Sequence, residues 1–327
     1  MGRLATHPVP DVLYFAIDTD ERLSMSEKVE RIIVPGLPGG SGRAARAAYA
    51  AAQRSSERFA AAIPRSRFAL ILASFGGGTG AGVAPVVAQF ARQAGALTAI
   101  VAIEPMDFEG SRRCVASREA IQFALDHADA VIRVPNRDLA ELYGDDVAAS
   151  EALQKMDTQV VGAASAIVQI ALAPVGTTLD LGVLRRVLVS SGLAVIGWRE
   201  SPEGSLRQAV RQALAESFLY PEHLRRATHI LLYVQGGRAL PMRELRAGSQ
   251  TVAEFASEAE LLVGLGPAAQ AGPGLSILVL ACGLQESIDA KGFEAASPVP
   301  EAASPCVVDG ENLDIPAFIR RQRRFGA

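Results

Sequence analysis

The sequence predicts an α/β fold whose second half is a smaller α+β arrangement. Three observations carry this. The apolar run Phe68-Ala69-Leu70-Ile71-Leu72-Ala73 leads into a glycine loop, Phe75-Gly76-Gly77-Gly78-Thr79-Gly80-Ala81-Gly82, and Val83, Val86, Val87 and Phe90 then recur at helical spacing. Strand-like and helix-like stretches go on alternating up to a long helical pattern over 150–173. Beyond it, residues 193–284 read as strand, helix, strand, helix, strand, strand, the mark of a separate α+β layer.

The glycine loop is the most informative stretch. Strand, glycine loop and helix together form the layout that holds a phosphate. Without Cβ atoms the backbone approaches an anion closely, and its N–H groups meet the charge beside the positive end of the helix dipole. An ordinary tight turn needs one or two glycines, whereas this loop has five in the seven residues 76–82. No Lys follows the last glycine, so the Walker pattern is absent. Gly76-x-Gly78-x-x-Ala81 does fit the dinucleotide pattern G-x-G-x-x-A, with Glu104 as the nearest acidic partner, somewhat late and followed by Pro105. An NAD(P) oxidoreductase therefore stays open on the loop alone.

Composition narrows the classes. The chain has 327 residues, 49% hydrophobic and 20% charged, enough to build two domains. A net charge of −3 gives no basis for nucleic-acid affinity. No apolar run reaches a membrane span and no signal-like segment opens the chain. Cys114, Cys282 and Cys306 are few and scattered, as suits a reducing cytoplasm. No histidine sits at metal-ligand spacing from a cysteine, so no metal centre is expected.

Taken in order, Val12–Ile17 reads as a strand ending in Asp18-Thr19-Asp20. Arg31–Val34 is a second short strand, and Gly36–Gly42 a flexible loop. The Ala-rich run from Arg43 to Ala62 is helical and Pro64 ends it. After the glycine-loop helix, Leu97–Ile103 is a strand, a helix extends to Ala128, and Ala130–Val134 is the next strand. Further strands are read at 193–198, 228–234, 260–264 and 275–284, with helices at 206–217 and 242–256. Residues 285–310 are rich in Ala, Ser, Pro and Glu and read as a disordered linker. Leu313, Ile315, Phe318 and Ile319 then form an apolar stripe around Pro316, too short to fold alone and suited to a partner's groove.

The string GGGTGAG followed by Ala84-Pro85-Val86-Val87-Ala88 resembles the phosphate loop of the tubulin/FtsZ superfamily, closer to bacterial FtsZ than to tubulin. Pro105–Arg113, Pro135-Asn136-Arg137-Asp138-Leu139 and the terminal Asn312–Gln322 follow in family order. The resemblance implies a GTP-binding Rossmann-type domain over 1–173, including the central helix, and an activation-type α+β domain over 174–284. A linker over 285–310 and a partner-binding peptide over 311–327 complete it. It implies that Gly76, Gly77, Gly78, Thr79 and Gly80 hold phosphate, Glu109 the ribose, Arg113 the sugar-phosphate region, and Asn136 and Asp157 the guanine. Leu153 stands where the family stacks an aromatic on the base.

The same resemblance implies a cytoplasmic protein of the division site that binds GTP or GDP, with Mg2+ as a companion, and polymerises head to tail with itself or another FtsZ. Its terminal peptide would meet membrane-tethering proteins. Asp180 would act on the neighbouring subunit's nucleotide. Val183 occupies the place of a second acid and Thr178 that of an Asn, so hydrolysis is expected to be impaired. A non-hydrolysing regulatory or scaffold homologue is the alternative. The family also has an earlier strand and a first glycine loop, whereas Val12–Ile17 corresponds to its second strand. A sheet lacking its first parallel strand exposes backbone edges, which favours a misplaced gene start.

Overall fold

The computed structural model describes residues 9–284 apart from 21–27, 37–40, 42–43, 64, 145, 190–191, 202–203, 216, 237–239, 257 and 267–273, together with 307–308 and 311–312. Two short strands come first, β1 (Phe15–Asp18) and β2 (Glu30–Ile33), paired in parallel from Phe15↔Glu30 to Asp18↔Ile33. Two helices follow, α1 (Ala45–Arg54) and α2 (Ser56–Ala62). The sequence predicts one helix here. The break lies at Ser55, whose hydroxyl donates back to the Ala51 carbonyl at 2.9 Å, a local bond that competes with the helix ladder.

The main sheet has seven strands. β3 (Phe68–Ser74), β4 (Leu97–Glu104), β5 (Ala130–Pro135) and β6 (Gly192–Ser201) run parallel in that order. β9 (Leu275–Leu284) then pairs antiparallel with β6, β7 (His229–Gly236) with β9, and β8 (Glu260–Leu265) parallel with β7. β4 and β5 are buried almost throughout, which is why they read as continuous apolar runs without alternation. β6 continues the parallel sheet from β5 and turns it into the antiparallel part, so one sheet serves both halves of the chain.

Helices cover both faces. On one face α3 (Gly78–Gln93) packs on α1 and β2, and Val83, Val86 and Val87 join Ile32, Val34 and Phe59 in a compact apolar cluster. On the other, α6 (Ala149–Leu172) and α7 (Leu181–Val189) bury Val160, Ile167, Leu184 and Leu188 against β4, β5 and β6. α4 (Ser111–Leu125) and α5 (Leu139–Tyr143) follow β4 and β5 through single 3-10 turns. α8 (Leu206–Ala215), α9 (Pro221–Arg226) and α10 (Met242–Ala253) dress the antiparallel part.

Met1–Glu286 and Ser287–Ala327 are two separate compact units. In the second, the described residues form one two-residue ladder, Val307–Val308 against Glu311–Asn312, where the sequence predicts linker and the start of the peptide. The apolar stripe from Leu313 to Ile319 lies outside the described residues. Among the described residues no helix is long and apolar enough to cross a membrane.

Candidate functional site

The candidate residues gather where the parallel strands end. β1 ends at Asp18, β3 at Ser74, β4 at Glu104 and β5 at Pro135, and the loops after β3, β4 and β5 lead to predicted contacts. Three hydroxyls that no local pattern announces tie these loops together. Thr79 Oγ1 lies 2.8 Å from Thr19 Oγ1 and 2.8 Å from Ser41 Oγ, and the Ser41 N–H donates to Thr19 Oγ1 at 3.0 Å.

The glycines of the loop are not alike. Gly76 takes φ +109°, where a side chain would be strained, and a Cβ there would press on Pro105. A Cβ on Gly80 would sit 2.1 Å from the Ser74 carbonyl oxygen. Gly77 has an ordinary extended backbone, and a Cβ on it would meet nothing within 4 Å. Neither packing nor φ demands glycine at 77. Gly77 is also the N-cap of α3 and offers no side-chain cap, so the first amides of a sixteen-residue helix face this opening.

Glu109 and Arg113 form an ion pair one helical turn apart. Glu109 also accepts the Met106 N–H at 2.8 Å, and Arg113 Nε donates to the Gly76 carbonyl at 3.3 Å. The structure thus brings Arg113 against the glycine loop and Glu109 beside it. Asn136 is buried, and its side-chain oxygen is shut off from solvent without a hydrogen-bond partner. A buried orphan amide oxygen at a strand end suits a ligand donor. Glu104 is different. Its two oxygens take Arg133 Nε and Nη2 at 2.7 and 2.9 Å in a buried fork, so it is not free to take a ribose hydroxyl. That removes the acidic partner of the dinucleotide reading.

Asp157 is exposed on α6 and Leu153 is 37% exposed on the same side, one turn earlier. Nearby Gln159 donates from Nε2 to the Tyr143 hydroxyl at 2.7 Å, fixing α6 to the helix that follows Asn136. Cys114, at the start of α4, has a thiol pushed above its ordinary 9.0 by burial and by Asp107. Its alkylation by iodoacetamide should therefore be slower at pH 8 than that of a free thiol and should climb only above pH 9, which a rate–pH profile checks.

Asp180 stands elsewhere. The charge of Arg67, the residue before β3, acts on it, whereas the glycine loop follows the other end of that strand. Its Oδ1 accepts the Val183 N–H at 3.0 Å and its Oδ2 the Gly176 N–H at 3.1 Å. These bonds hold its carboxyl below the usual range, and the first of them caps α7. The folded pKa is depressed, so this stabilisation is present above the unfolded carboxylate pKa and lost as pH falls through the folded value.

Residues 8–144 match the model of the Tubulin/FtsZ family, GTPase domain. The chain is 28% identical over 303 residues to the cell division protein FtsZ of Pseudomonas putida, covering 88% of this chain and 76% of that protein. It is 27% identical over 342 residues to the FtsZ of Pseudomonas aeruginosa, covering 100% and 87%. Among solved structures, an empty FtsZ dimer of M. jannaschii superposes with a TM-score of 0.76 at 25% identity, over 90% of this chain and 91% of that one. A mutant FtsZ of M. jannaschii gives 0.76 at 27% identity, over 86% of each. The fold is that of FtsZ, and residues 8–144 are similar to the tubulin/FtsZ GTPase domain.

Proposed function

We propose that this FtsZ-like chain binds a guanine nucleotide at the glycine loop and associates head to tail, with itself or another FtsZ, in cell division at the cytoplasmic division site, turning the nucleotide over slowly. The observations that carry the reading are the uncapped start of α3 at Gly77, Arg113 of α4 bonded to the Gly76 carbonyl, and the buried, unpartnered oxygen of Asn136 at the end of β5. The amides at Gly77, Gly78 and Thr79 would take phosphate oxygens. Arg113, already on the loop, would balance their charge, and Glu109 would take a ribose hydroxyl. Asn136 and Asp157 would read the base edge. On this reading 1–173 is the nucleotide domain and 174–284 the second domain, built on the same sheet.

Asp180 supports the head-to-tail part. The charge of Arg67, which precedes β3, acts on it, while the glycine loop follows the other end of β3, which supports a role on a nucleotide held by the next subunit. Orienting a water near the terminal phosphate is its proposed role. Val183, where a second carboxylate would help, can neither accept a proton nor bind a cation. The described residues contain no cluster of His, Cys, Asp and Glu fit for a metal, so Mg2+ would enter on the phosphates. Membrane-tethering partners for Leu313, Ile315, Phe318 and Ile319 are proposed on the sequence alone.

Sedimentation with GTP against GDP tests association: GTP-dependent pelleting is expected, and no pelleting with either supports the regulatory homologue. Val183→Asp is expected to raise phosphate release by tenfold or more in pelleted material. Val183 packs against the apolar core, so a modest loss of stability should accompany it. Unchanged release would mean that the second acid is not what limits turnover.

A further inference from the structure

β8 is the last strand of the seven-stranded sheet and pairs there with β7 alone. β7 is buried along most of its length, whereas Leu261, Leu262 and Val263 of β8 are half-buried and Leu265 is 54% exposed. Bonds at the two ends of β8 give its register. Glu260 N–H donates to the Thr228 carbonyl at 3.0 Å and Gly266 N–H to the Val234 carbonyl at 2.8 Å. The even residues therefore bond towards β7. Leu261, Val263 and Leu265 direct their N–H and C=O groups the other way, along the outer edge of the sheet.

An edge strand is ordinarily protected by lysine, proline or a bulge. β8 reads ELLVGL, and its pairing with β7 runs without a register shift. Its single charge, Glu260, is held by Arg186 of α7 at 3.1 Å and by His229 at 3.5 Å. The same α7 side of the strand has Leu179 lying over Gly264, where a Cβ would come within 2.3 Å of it.

Such an edge is complementary to a second copy of itself. When two copies lie antiparallel about a twofold axis through Val263, all the outward residues bond to one another. Val263 pairs with the partner's Val263, Leu261 with the partner's Leu265 and Leu265 with the partner's Leu261, each pair exchanging both N–H···O bonds. On the α7 side Leu262 meets the partner's Gly264, large against small. Glu260 meets the partner's Gly266, so the two carboxylates stand at opposite ends of the new ladder. Sliding either copy by two residues leaves Leu261 or Leu265 without a partner in β8, so the register is specified.

We propose that β8 pairs antiparallel with β8 of a second copy of this chain, joining two seven-stranded sheets edge to edge in a dimer closed by twofold symmetry. This contact goes beyond the head-to-tail association proposed above and does not depend on the nucleotide, so either can fail while the other stands.

The test uses the 327-residue protein without nucleotide. Sedimentation velocity at rising concentration is expected to show monomer passing to dimer and no further. Residue-resolved hydrogen exchange should slow at least tenfold at Leu261, Val263 and Leu265 as the dimer fills. Leu262 and Gly264, already bonded to β7, should change little. Val263→Pro removes only an outward N–H, so it should abolish the dimer and leave Tm nearly unchanged. Leu265→Lys, at an exposed position, should weaken the dimer at least tenfold. Four results would overturn the proposal: monomer at every concentration, a dimer that both variants retain, protection without the alternation, or Leu261 and Val263 amides already protected in the monomer, which would mean that its own chain covers the edge.

Discussion

Arg133→Ala is expected to be the most destabilising single substitution in the nucleotide half of the molecule. Glu104 on β4 and Arg133 on β5 lie diagonally across the strand pair, with 6% and 8% of their side chains exposed, and their two bonds form a fork. Truncating the arginine leaves a carboxylate buried without its partner, which costs about 3–5 kcal/mol. For a domain of this size that lowers Tm by roughly 6–20 °C. Replacing both residues by methionine should recover much of the loss, because well-packed apolar side chains serve a buried site as well as an ion pair does. Calorimetry on the single and double variants checks this. A shift below about 1 °C for Arg133→Ala would mean that Glu104 finds water or another donor.

Asp157→Ala has the largest effect expected on ligand choice. A carboxylate that accepts two N–H groups of a guanine contributes about 1.5–3 kcal/mol, so GTP should bind roughly ten- to a hundredfold more weakly. ATP offers no matching pair of donors and should be unaffected. Asp157 is exposed and α6 is held at Gln159, so the substitution should leave folding unchanged and isolate the base contact. Equal loss for both nucleotides would assign Asp157 to the sugar or phosphates instead.

The elements that were legible in the sequence are those whose signal is local. The apolar runs of β3, β4, β5 and β9 and the period of α6 give their positions to within a residue or two. The glycine loop announces its own turn. Its helix begins at Gly78, though, five residues before the first apolar position, because glycines carry no periodic signal. α5, α7 and α9 have no counterpart among the helices the sequence predicts: α5 is five residues long, α7 opens directly behind the loop with Asp180, and α9 is a single turn and a half behind Pro221. The Thr19–Ser41–Thr79 hydroxyl cluster joins residues up to sixty positions apart, so no window on the sequence contains it. Glu104 shows the converse. Spacing makes it the nearest acidic candidate of a dinucleotide site, somewhat late, and only the neighbouring strand reveals that Arg133 already pairs with it. Asp180 reads from the sequence as a site residue, and the fold adds that it caps α7.

The measurement that bears most directly on the central claim is calorimetric titration of the 327-residue protein with GTP, GDP, ATP and NAD+, repeated on Asn136→Leu. The account predicts one guanine nucleotide per chain, no NAD+ binding, and a loss of at least tenfold in guanine-nucleotide affinity for Asn136→Leu with Tm unchanged or raised, since the buried orphan oxygen is removed. Binding of NAD+ in place of GTP, or no nucleotide binding by a folded protein, would contradict it.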